Sequence, residues 1–368
     1  MLQHGTAGHI NPGIAIANKI KQEQKNSEII FIGTTRGLEN DLVPRAGYTL
    51  KTIDAYGLSK KISIDNIKKM MKTIKGISQA KKIVKEFKPD VVIGTGGYIC
   101  GASILAAKKY NVPTILHESN AFPGKAVKML SKKVDKILVG FEEAKLRLPE
   151  PEKVVVTGNP TKIKKVEFSQ NERKEKLIKF KLEDTKPVVL VFGGSQGAKK
   201  INEALLEIIK DKKNTNYQII WAPGPKQYDI IKLELEKEHI NINSIKGINI
   251  TPYIYDMEEV MNLCDIVVAR SGALTITEIA TASKPAIFIP LPNVSQNHQE
   301  YNARVLENIG AAKIIKNNEL NGKILDDMLK KLIQENGKLK QMGQNGNKIH
   351  KQNVEGKIYQ EVLKTLVE

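Results

Sequence analysis

The sequence predicts an α/β protein with two open, doubly wound sheets, and three observations carry that prediction. Short β-branched runs alternate with stretches of helical periodicity along the whole chain. Glycines and polar side chains recur at the carboxyl ends of the strands, where open α/β sheets bind ligands. A chain of 368 residues is long enough for two domains, each with its own core, and the pattern restarts after the rigid break Gly158-Asn159-Pro160. The expected domains are 1–158 and 159–344, with a final helix from about residue 345 to 368 crossing back onto the first.

Composition narrows the classes. Hydrophobic residues make up 41% and aromatics 5%, so the cores are expected to be aliphatic. The two cysteines, Cys100 and Cys264, are far apart in apolar surroundings; they fit a reducing cytoplasm and form no metal pattern. No apolar run approaches the ~20 residues that span a bilayer, and no signal peptide is visible, so a cytoplasmic protein is expected. The net charge of +18 fits nucleic acid, an anionic membrane surface or acidic substrates. The lysines are spread over the whole chain, with few aromatics among them and no nucleic-acid module, which makes nucleic acid the weakest of the three.

In the first domain, Met1 to Asn11 reads as a phosphate-loop-like glycine turn, and Pro12 suits the start of the helix that continues through Ile14, Ala17 and Ile20. Such a turn normally follows a strand, and none precedes it here. The expectation is a chain that begins late or a frayed tail. Strands are expected at 28–33, 50–55, 90–93, 112–116, 135–139 and 153–156, with a short helix at 38–46 interrupted by Pro44. Between Ile62 and Phe87 apolar residues fall at helical spacing, shifted or broken around Gly76, and Lys68, Lys69, Lys72, Lys75, Lys81, Lys82 and Lys85 take the opposite face. A basic amphipathic helix of this kind fits an anionic lipid surface, and more often it is a core-packing helix with a solvated lysine face. His117 and Glu118, at the end of a strand, fit a catalytic pair; strand-end residues satisfied by the backbone are the preferred reading.

The second domain carries two glycine-rich strand-to-helix turns. The apolar strand 187–192 runs into Gly193-Gly194-Ser195-Gln196-Gly197-Ala198 and a helix. Ser195 offers a hydroxyl and an N–H to a phosphate, and the absence of a Lys-Ser/Thr pair distinguishes the turn from the P-loop. Strand 266–269 runs through Ser271-Gly272 into a helix whose amino end suits a diphosphate, and Glu278, one turn in, suits two ribose hydroxyls. The same stretch also fits an ordinary βα unit with Glu278 in solvent. Further strands are expected at 218–222, 248–253 and 285–290. Ile254 is placed to present backbone to a base, and His298 and Gln299, in a polar loop opening a helix, to contact sugar hydroxyls. The tail from Lys338 is expected to be helical but broken near Gly343 and Gly346.

With those turns located, the sequence resembles the MurG family, bacterial transferases that add N-acetylglucosamine to the undecaprenyl-diphosphate-linked muramyl-pentapeptide. The resemblance is carried, in family order across nearly the whole chain, by Gly5 to Pro12, Gly94 to Tyr98, His117 to Asn120, Gly158 to Pro160, Gly193 to Gly197, Arg270 to Glu278 and His298 to Ala303. It implies the GT-B architecture, two Rossmann-like domains facing across a cleft, and a peripheral enzyme on the cytoplasmic side of the cell membrane. It implies that UDP-N-acetylglucosamine lies in the second domain: Ile254 at the uracil, Glu278 at the ribose, Ser195 with Ala273, Leu274 and Thr275 at the diphosphate, Gln299 and His298 at the sugar. Thr6, Ala7, Gly8 and His9, with Asn120, would then stand near the acceptor diphosphate and reacting hydroxyl, and the basic helix after Ser59 would contact the anionic membrane.

The departures from the family pattern carry expectations of their own. The strand expected before Gly5 would be central in the first sheet, so its absence should expose strand edges and misplace His9. His4 stands where glycine is usual, Ser119 where glutamine is common, and Lys162 where arginine is common, which keeps a phosphate contact without bidentate geometry. The implied chemistry is inverting displacement, with His9 as candidate base or as a phosphate contact, and no metal or cofactor demanded. The alternatives are another GT-B sugar-nucleotide enzyme, such as a diacylglycerol glycosyltransferase or an epimerase, or an inactive nucleotide-sugar-binding protein.

Overall fold

The computed structural model describes residues 7–56, 64–194, 197–214 and 216–367, with the side chains of Ala7, residues 64–71 and Ser295 set aside. Thr6, His4, Ser59 and Ser195 therefore lie outside the described residues. The chain forms two compact units, Met1–Thr161 with Lys351–Glu368, and Lys162–His350.

Unit 1 runs α1 (Ala7–Glu23), β1 (Ile30–Gly33), α2 (Glu39–Arg45), β2 (Thr49–Thr52), α3 (Ile64–Phe87), β3 (Val92–Gly94), α4 (Gly97–Lys109), β4 (Thr114–Glu118), α5 (Lys125–Leu130), β5 (Lys136–Val139), α6 (Glu142–Lys145) and β6 (Val154–Val156). All strand pairings are parallel, in two pieces: β1 with β2, and β3-β4-β5-β6. Helices cover both faces. Ile16 of α1 packs with Ile115 and Leu138 on one face, and Ala80 and Val84 of α3 pack with Ala102 and Ala106 of α4 on the other.

Unit 2 runs α7 (Gln170–Lys179), β7 (Val188–Phe192), α8 (Lys199–Lys210), β8 (Gln218–Ala222), α9 (Pro225–Lys237), β9 (Ile248–Ile250), α10 (Met257–Leu263), β10 (Ile266–Ala269), α11 (Ala273–Thr281), β11 (Ala286–Phe288), α12 (His298–Asn308), β12 (Ala312–Ile314), α13 (Gly322–Gln334) and α14 (Lys338–Asn347). Its parallel sheet is continuous, in the order β12-β11-β10-β7-β8-β9. The two central strands, Val-Val-Leu-Val-Phe and Ile-Val-Val-Ala, are buried throughout, as parallel strands covered on both faces must be. The last helix, α15 (Val354–Val367), belongs to unit 1, where Val354, Ile358 and Val362 join the core beside Ile16. Gly158 permits that docking: its φ is +90°, and a Cβ there would stand 3.0 Å from Val354.

Three expectations about punctuation fail, for related reasons. α3 passes unbroken through Gly76, where a Cβ would stand 1.9 Å from the carbonyl oxygen of Asp54. α14 passes unbroken through Gly343 and Gly346, and a Cβ at Gly343 would stand 2.2 Å from the carbonyl of Ser283. Gly76 and Gly343 let a helix lie close against backbone, and none of the three glycines ends its helix. Helix α1 begins at Ala7, so Pro12 sits inside it. Lacking an N–H, Pro12 leaves the Gly8 carbonyl without its helical donor. The strands 28–33, 248–253 and 285–290 are also shorter than expected, at Ile30–Gly33, Ile248–Ile250 and Ala286–Phe288.

Candidate active site

In unit 2 the chain leaves β7 toward β8 on one side, then returns to lay β10 on the other, so β7 and β10 flank the point where the strand order reverses. Their register pairs Phe192 with Ala269, which brings the turns that follow, Gly193–Ala198 and Arg270–Gly272, out of adjacent strand tips. Ligands of open α/β sheets bind at such a point. Gly193 has no room for a side chain, since a Cβ would stand 2.3 Å from the Ala198 nitrogen. Gly194 and Gly197 have φ of +77° and +73°, and Gly197 N–H closes the turn on the Gly194 carbonyl at 2.9 Å.

The helices that follow begin uncapped. Neither α8 nor α11 has a side-chain cap or an acidic residue in its first turn, whereas α7, α10 and α13 are capped by Ser169, Asp256 and Asn321. The first N–H groups of α11, at Ala273, Leu274 and Thr275, thus keep their hydrogen-bonding capacity and the positive end of the helix dipole for an anion. Glu278 lies one turn further on, half-buried, with no partner for its carboxylate among the described residues. Burial pushes its pKa up to about 7.

Around this turn the polar side chains divide into scaffold and open groups. Arg270 donates to the carbonyls of Ile289 at 2.9 Å and Pro290 at 3.4 Å and to Asn317 Oδ1 at 2.8 Å, so it braces the sheet edge. Ser271 Oγ donates to the Gln299 carbonyl at 2.8 Å, and Asn302 Nδ2 to the Ser271 carbonyl at 3.2 Å, which ties α12 to the turn. Gln299 Oε1 accepts from Leu291 N–H at 2.9 Å, leaving Nε2 as its donor. His298 opens α12 beside it. The polar loop expected before this helix is present, but sequence reasoning missed its conformation: Asn293, Gln296 and Asn297 all adopt left-handed backbone, with φ of 60°, 58° and 51°. Left-handed non-glycine residues gather at functional sites, and the asparagines were the only signal for them. Ile254 is buried between the exposed rings of Tyr253 and Tyr255, which meet edge to face at 5.0 Å.

In unit 1 His9 is held in place. Its Nδ1 lies 3.0 Å from the Thr95 carbonyl. A carbonyl can only accept, so Nδ1 carries the proton and a neutral ring presents a bare Nε2. The ring lies against Gly96, where φ is +97° and a Cβ would stand 2.8 Å from Nδ1. The turn after β3 thus anchors His9. Gly8 lies in the same first turn of α1, as does the backbone of Ala7.

At the end of β4 Glu118 is satisfied largely by backbone N–H groups, whereas neither buried ring nitrogen of His117 has a hydrogen-bond partner among the described residues. His117 is fully enclosed, and burial pushes its pKa down to about 4, so it is neutral. Glu118 is also buried. Its Oε1 accepts from the Asn120 N–H at 2.8 Å and from Asn120 Nδ2 at 2.9 Å, and its Oε2 from the Gly124 N–H at 2.7 Å. It thereby fixes the loop that carries Asn120. Asn159 Nδ2 donates to the Ser119 carbonyl at 3.0 Å and secures the same loop from below. Lys162 is exposed at the first position of unit 2.

The comparisons with known proteins agree with this geometry. Residues 1–139 match the glycosyltransferase family 28 N-terminal domain and residues 188–357 the family 28 C-terminal domain. The chain belongs to glycosyltransferase family 28. It is 42% identical over 366 residues to the UDP-N-acetylglucosamine--N-acetylmuramyl-(pentapeptide) pyrophosphoryl-undecaprenol N-acetylglucosamine transferase of Acetivibrio thermocellus, covering 99% of this chain and 96% of that one. It is also 42% identical to the enzyme of the same name from a Thermoanaerobacter species, covering 96% of each. Among solved structures it is similar to Acinetobacter baumannii MurG, with a TM-score of 0.77 and 27% identity over 98% of this chain and 97% of that one. The family 28 fold is of the GT-B type, and the chain is an N-acetylglucosaminyltransferase.

Proposed function

We propose that this family 28 enzyme moves N-acetylglucosamine from UDP-N-acetylglucosamine to the muramyl 4-hydroxyl of the undecaprenyl-diphosphate-linked pentapeptide, with the residues above in the following roles. The observation that supports the donor half is the pair of glycine turns leaving adjacent strand tips at Phe192 and Ala269, with the half-buried Glu278 one turn beyond. UDP occupies that position. Its diphosphate takes the N–H groups of Ala273, Leu274 and Thr275 and the turn containing Ser195, the ribose hydroxyls donate to Glu278, and the uracil meets the backbone of Ile254. Gln299 Nε2 donates to the sugar, with His298 alongside.

The acceptor hydroxyl attacks the anomeric carbon on the face opposite UDP, its proton passes to a base, and the bond to the β-phosphate oxygen breaks with inversion. Negative charge growing on that phosphate is stabilised by the amino end of α11. His9 is the base, because Thr95 fixes the tautomer that leaves Nε2 able to take the proton. Asn120, held by Glu118, orients the acceptor, with Thr6, Ala7 and Gly8 at its diphosphate and Lys162 at a phosphate. The lysine face of α3, exposed at Lys72, Lys75, Lys82 and Lys85, rests on the anionic cytoplasmic surface of the membrane. Among the described residues no helix is long and apolar enough to cross a membrane.

The test is a transfer assay with UDP-N-acetylglucosamine and the lipid-linked acceptor, alongside calorimetric UDP binding. His9→Ala is expected to lose about 10²–10⁴-fold in turnover while binding UDP normally. Near-full turnover in that variant removes His9 as the base. UDP binding unaffected by Gly193→Val and Glu278→Ala removes the donor site.

A further inference from the structure

One cation of unit 1 is held in place without serving the core. Arg36 stands on the loop that leaves β1. Its Nη2 donates to the Ala55 carbonyl at 2.9 Å, and its guanidinium lies over the Tyr56 ring, 3.8 Å from the centroid. The side chain is exposed even so, and among the described residues no carboxylate pairs with it. The rest of its N–H fork is open.

The platform under Arg36 is itself fixed. The Tyr56 N–H donates to Thr73 Oγ1 at 3.3 Å, and that hydroxyl donates to the Tyr56 carbonyl at 3.4 Å. The Asp54 N–H donates to Gln79 Oε1 at 2.7 Å, so α3 fastens the segment after β2 at two points. Lys72, also on α3, places its Nζ 5.3 Å from the centre of the Tyr56 ring and 3.5 Å from its hydroxyl. Tyr98, in the first turn of α4, closes the group beside Thr34. Burial pushes its pKa up against the pull of Arg36, so its phenol stays a donor. Glu39 is the acid close to this group, and it does not neutralise Arg36. Its Oε1 accepts from the N–H and Oγ1 of Thr34 at 3.0 and 2.9 Å, and Gly37 packs over Oε2 so closely that no Cβ would fit.

An arginine laid flat on an aromatic ring keeps its edge donors for a planar anion, and the fork matches a carboxylate bidentately. The position is the ligand end of the strands: Gly33 of β1 is in register with Thr52 of β2, and Arg36 and Tyr56 follow those tips. Tyr98 follows directly on Gly96-Gly97, the turn against which the His9 ring rests. The muramyl peptide leaves its sugar through the lactyl ether on the carbon next to the reacting hydroxyl. With that hydroxyl at His9, the peptide starts at this end of unit 1. An anionic lipid headgroup is the competing occupant. It fits less well, because Arg36 and Tyr98 lie at strand tips and not on the solvated lysine face of α3.

We propose that Arg36, stacked on Tyr56, binds a carboxylate of the acceptor's pentapeptide, with Tyr98 and Lys72 as further donors. These residues select a peptide-bearing acceptor and stand apart from the bond that is made. The inference rests on the acceptor proposed above.

The test is steady-state transfer by the full chain in detergent, with the pentapeptide acceptor and with the same acceptor after amidation of its peptide carboxylates. In the parent, amidation is expected to raise the acceptor KM about 10–100-fold with kcat little changed. Arg36→Ala is expected to raise KM for the carboxylate form by a similar factor and to add nothing to the loss with the amidated form, with UDP affinity unchanged. Arg36→Lys keeps the charge without the fork and recovers part of the loss. A parent indifferent to amidation overturns the inference whether or not the variants fold. So does an Arg36→Ala variant that weakens both acceptors alike, which makes the residue a brace for the loop. An unchanged acceptor KM with lost binding to phosphatidylglycerol vesicles overturns it in favour of the headgroup. Absence of transfer by the parent with either acceptor is a separate failure, because it sinks the acceptor reading itself.

Discussion

In unit 2 the strand that feeds α8 has a neighbour on each side, and its glycine turn emerges beside the turn after β10. In unit 1 the corresponding position between β1 and β3 is a cavity, and the first turn of α1 is fastened from the side, by His9 on the Thr95 carbonyl. Both units place their candidate chemistry at the carboxyl ends of parallel strands. They differ in what holds it there. Unit 2 relies on backbone geometry set by a complete ladder, and unit 1 on single side-chain contacts, His9 to Thr95 and Glu118 to Asn120 and Gly124. A backbone cradle is disturbed by adding a Cβ, and a side-chain clasp by removing an oxygen.

The sharpest test of that contrast is one glycine from each unit. Gly193→Val forces a Cβ onto the Ala198 nitrogen and is expected to weaken UDP binding about 100-fold or more. Gly96→Val pushes against the His9 ring at a φ of +97° and is expected to lower turnover about 100-fold with UDP affinity intact. Calorimetry and turnover on the two variants separate binding from chemistry. If both variants lose UDP binding alike, the division of labour between the units is wrong.

A smaller effect follows from removing the clasp. Glu118→Ala strands the Asn120 and Gly124 N–H groups and is expected to reduce turnover about tenfold, mainly through a raised acceptor KM, with UDP affinity unchanged. Glu118→Gln keeps an oxygen for Asn120 and should recover part of the loss. A merely structural residue would move the melting temperature in step with activity and would not split KM from kcat.

Much of unit 2 was legible because local signals agreed there. Val188–Phe192 and Ile266–Ala269 are unbroken apolar runs of strand length closed by glycine, and the helices after them resume a clear period. What escaped were contacts between segments distant in sequence. Gly76 and Gly343 read locally as helix breakers, yet each meets a carbonyl from another segment, Asp54 and Ser283. A single sequence cannot distinguish a glycine that ends a helix from one that lets a helix press against backbone. The roles of His117 and Glu118 stayed open for the same reason, because the N–H groups that satisfy Glu118 lie in a loop whose path is tertiary. The left-handed turn at Gln296 and Asn297 left almost no trace, since neither residue demands that conformation. These helix glycines give a prediction opposite in sign to helix propensity. Gly76→Ala and Gly343→Ala are each expected to destabilise by about 1–3 kcal/mol in urea unfolding, where an unconstrained helix would gain about 1 kcal/mol.

The smallest effect concerns Glu278, whose titration burial moves toward neutrality. Burial raises the Glu278 pKa from 4.5 to about 7. In the folded state the proton is therefore held over a range in which the unfolded chain has released it. The stabilisation from that proton is fully present below about pH 4.5 and is lost as the pH rises through about 7. Glu278 keeps part of its surface open to solvent, so the swing is on the order of 1–2 kcal/mol. Glu278→Gln, which cannot ionise, should flatten this slope and be the more stable protein at pH 8. UDP binding moves the other way: ribose hydroxyls donate best to the ionised carboxylate, so affinity for UDP rises with pH through the same window in the parent and not in the variant. Unit 1 supplies the control, because His9→Ala should leave the pH dependence of UDP binding unchanged. A parent protein whose UDP affinity is flat between pH 5.5 and 8 would place Glu278 away from the ribose and return the donor half to an ordinary βα turn.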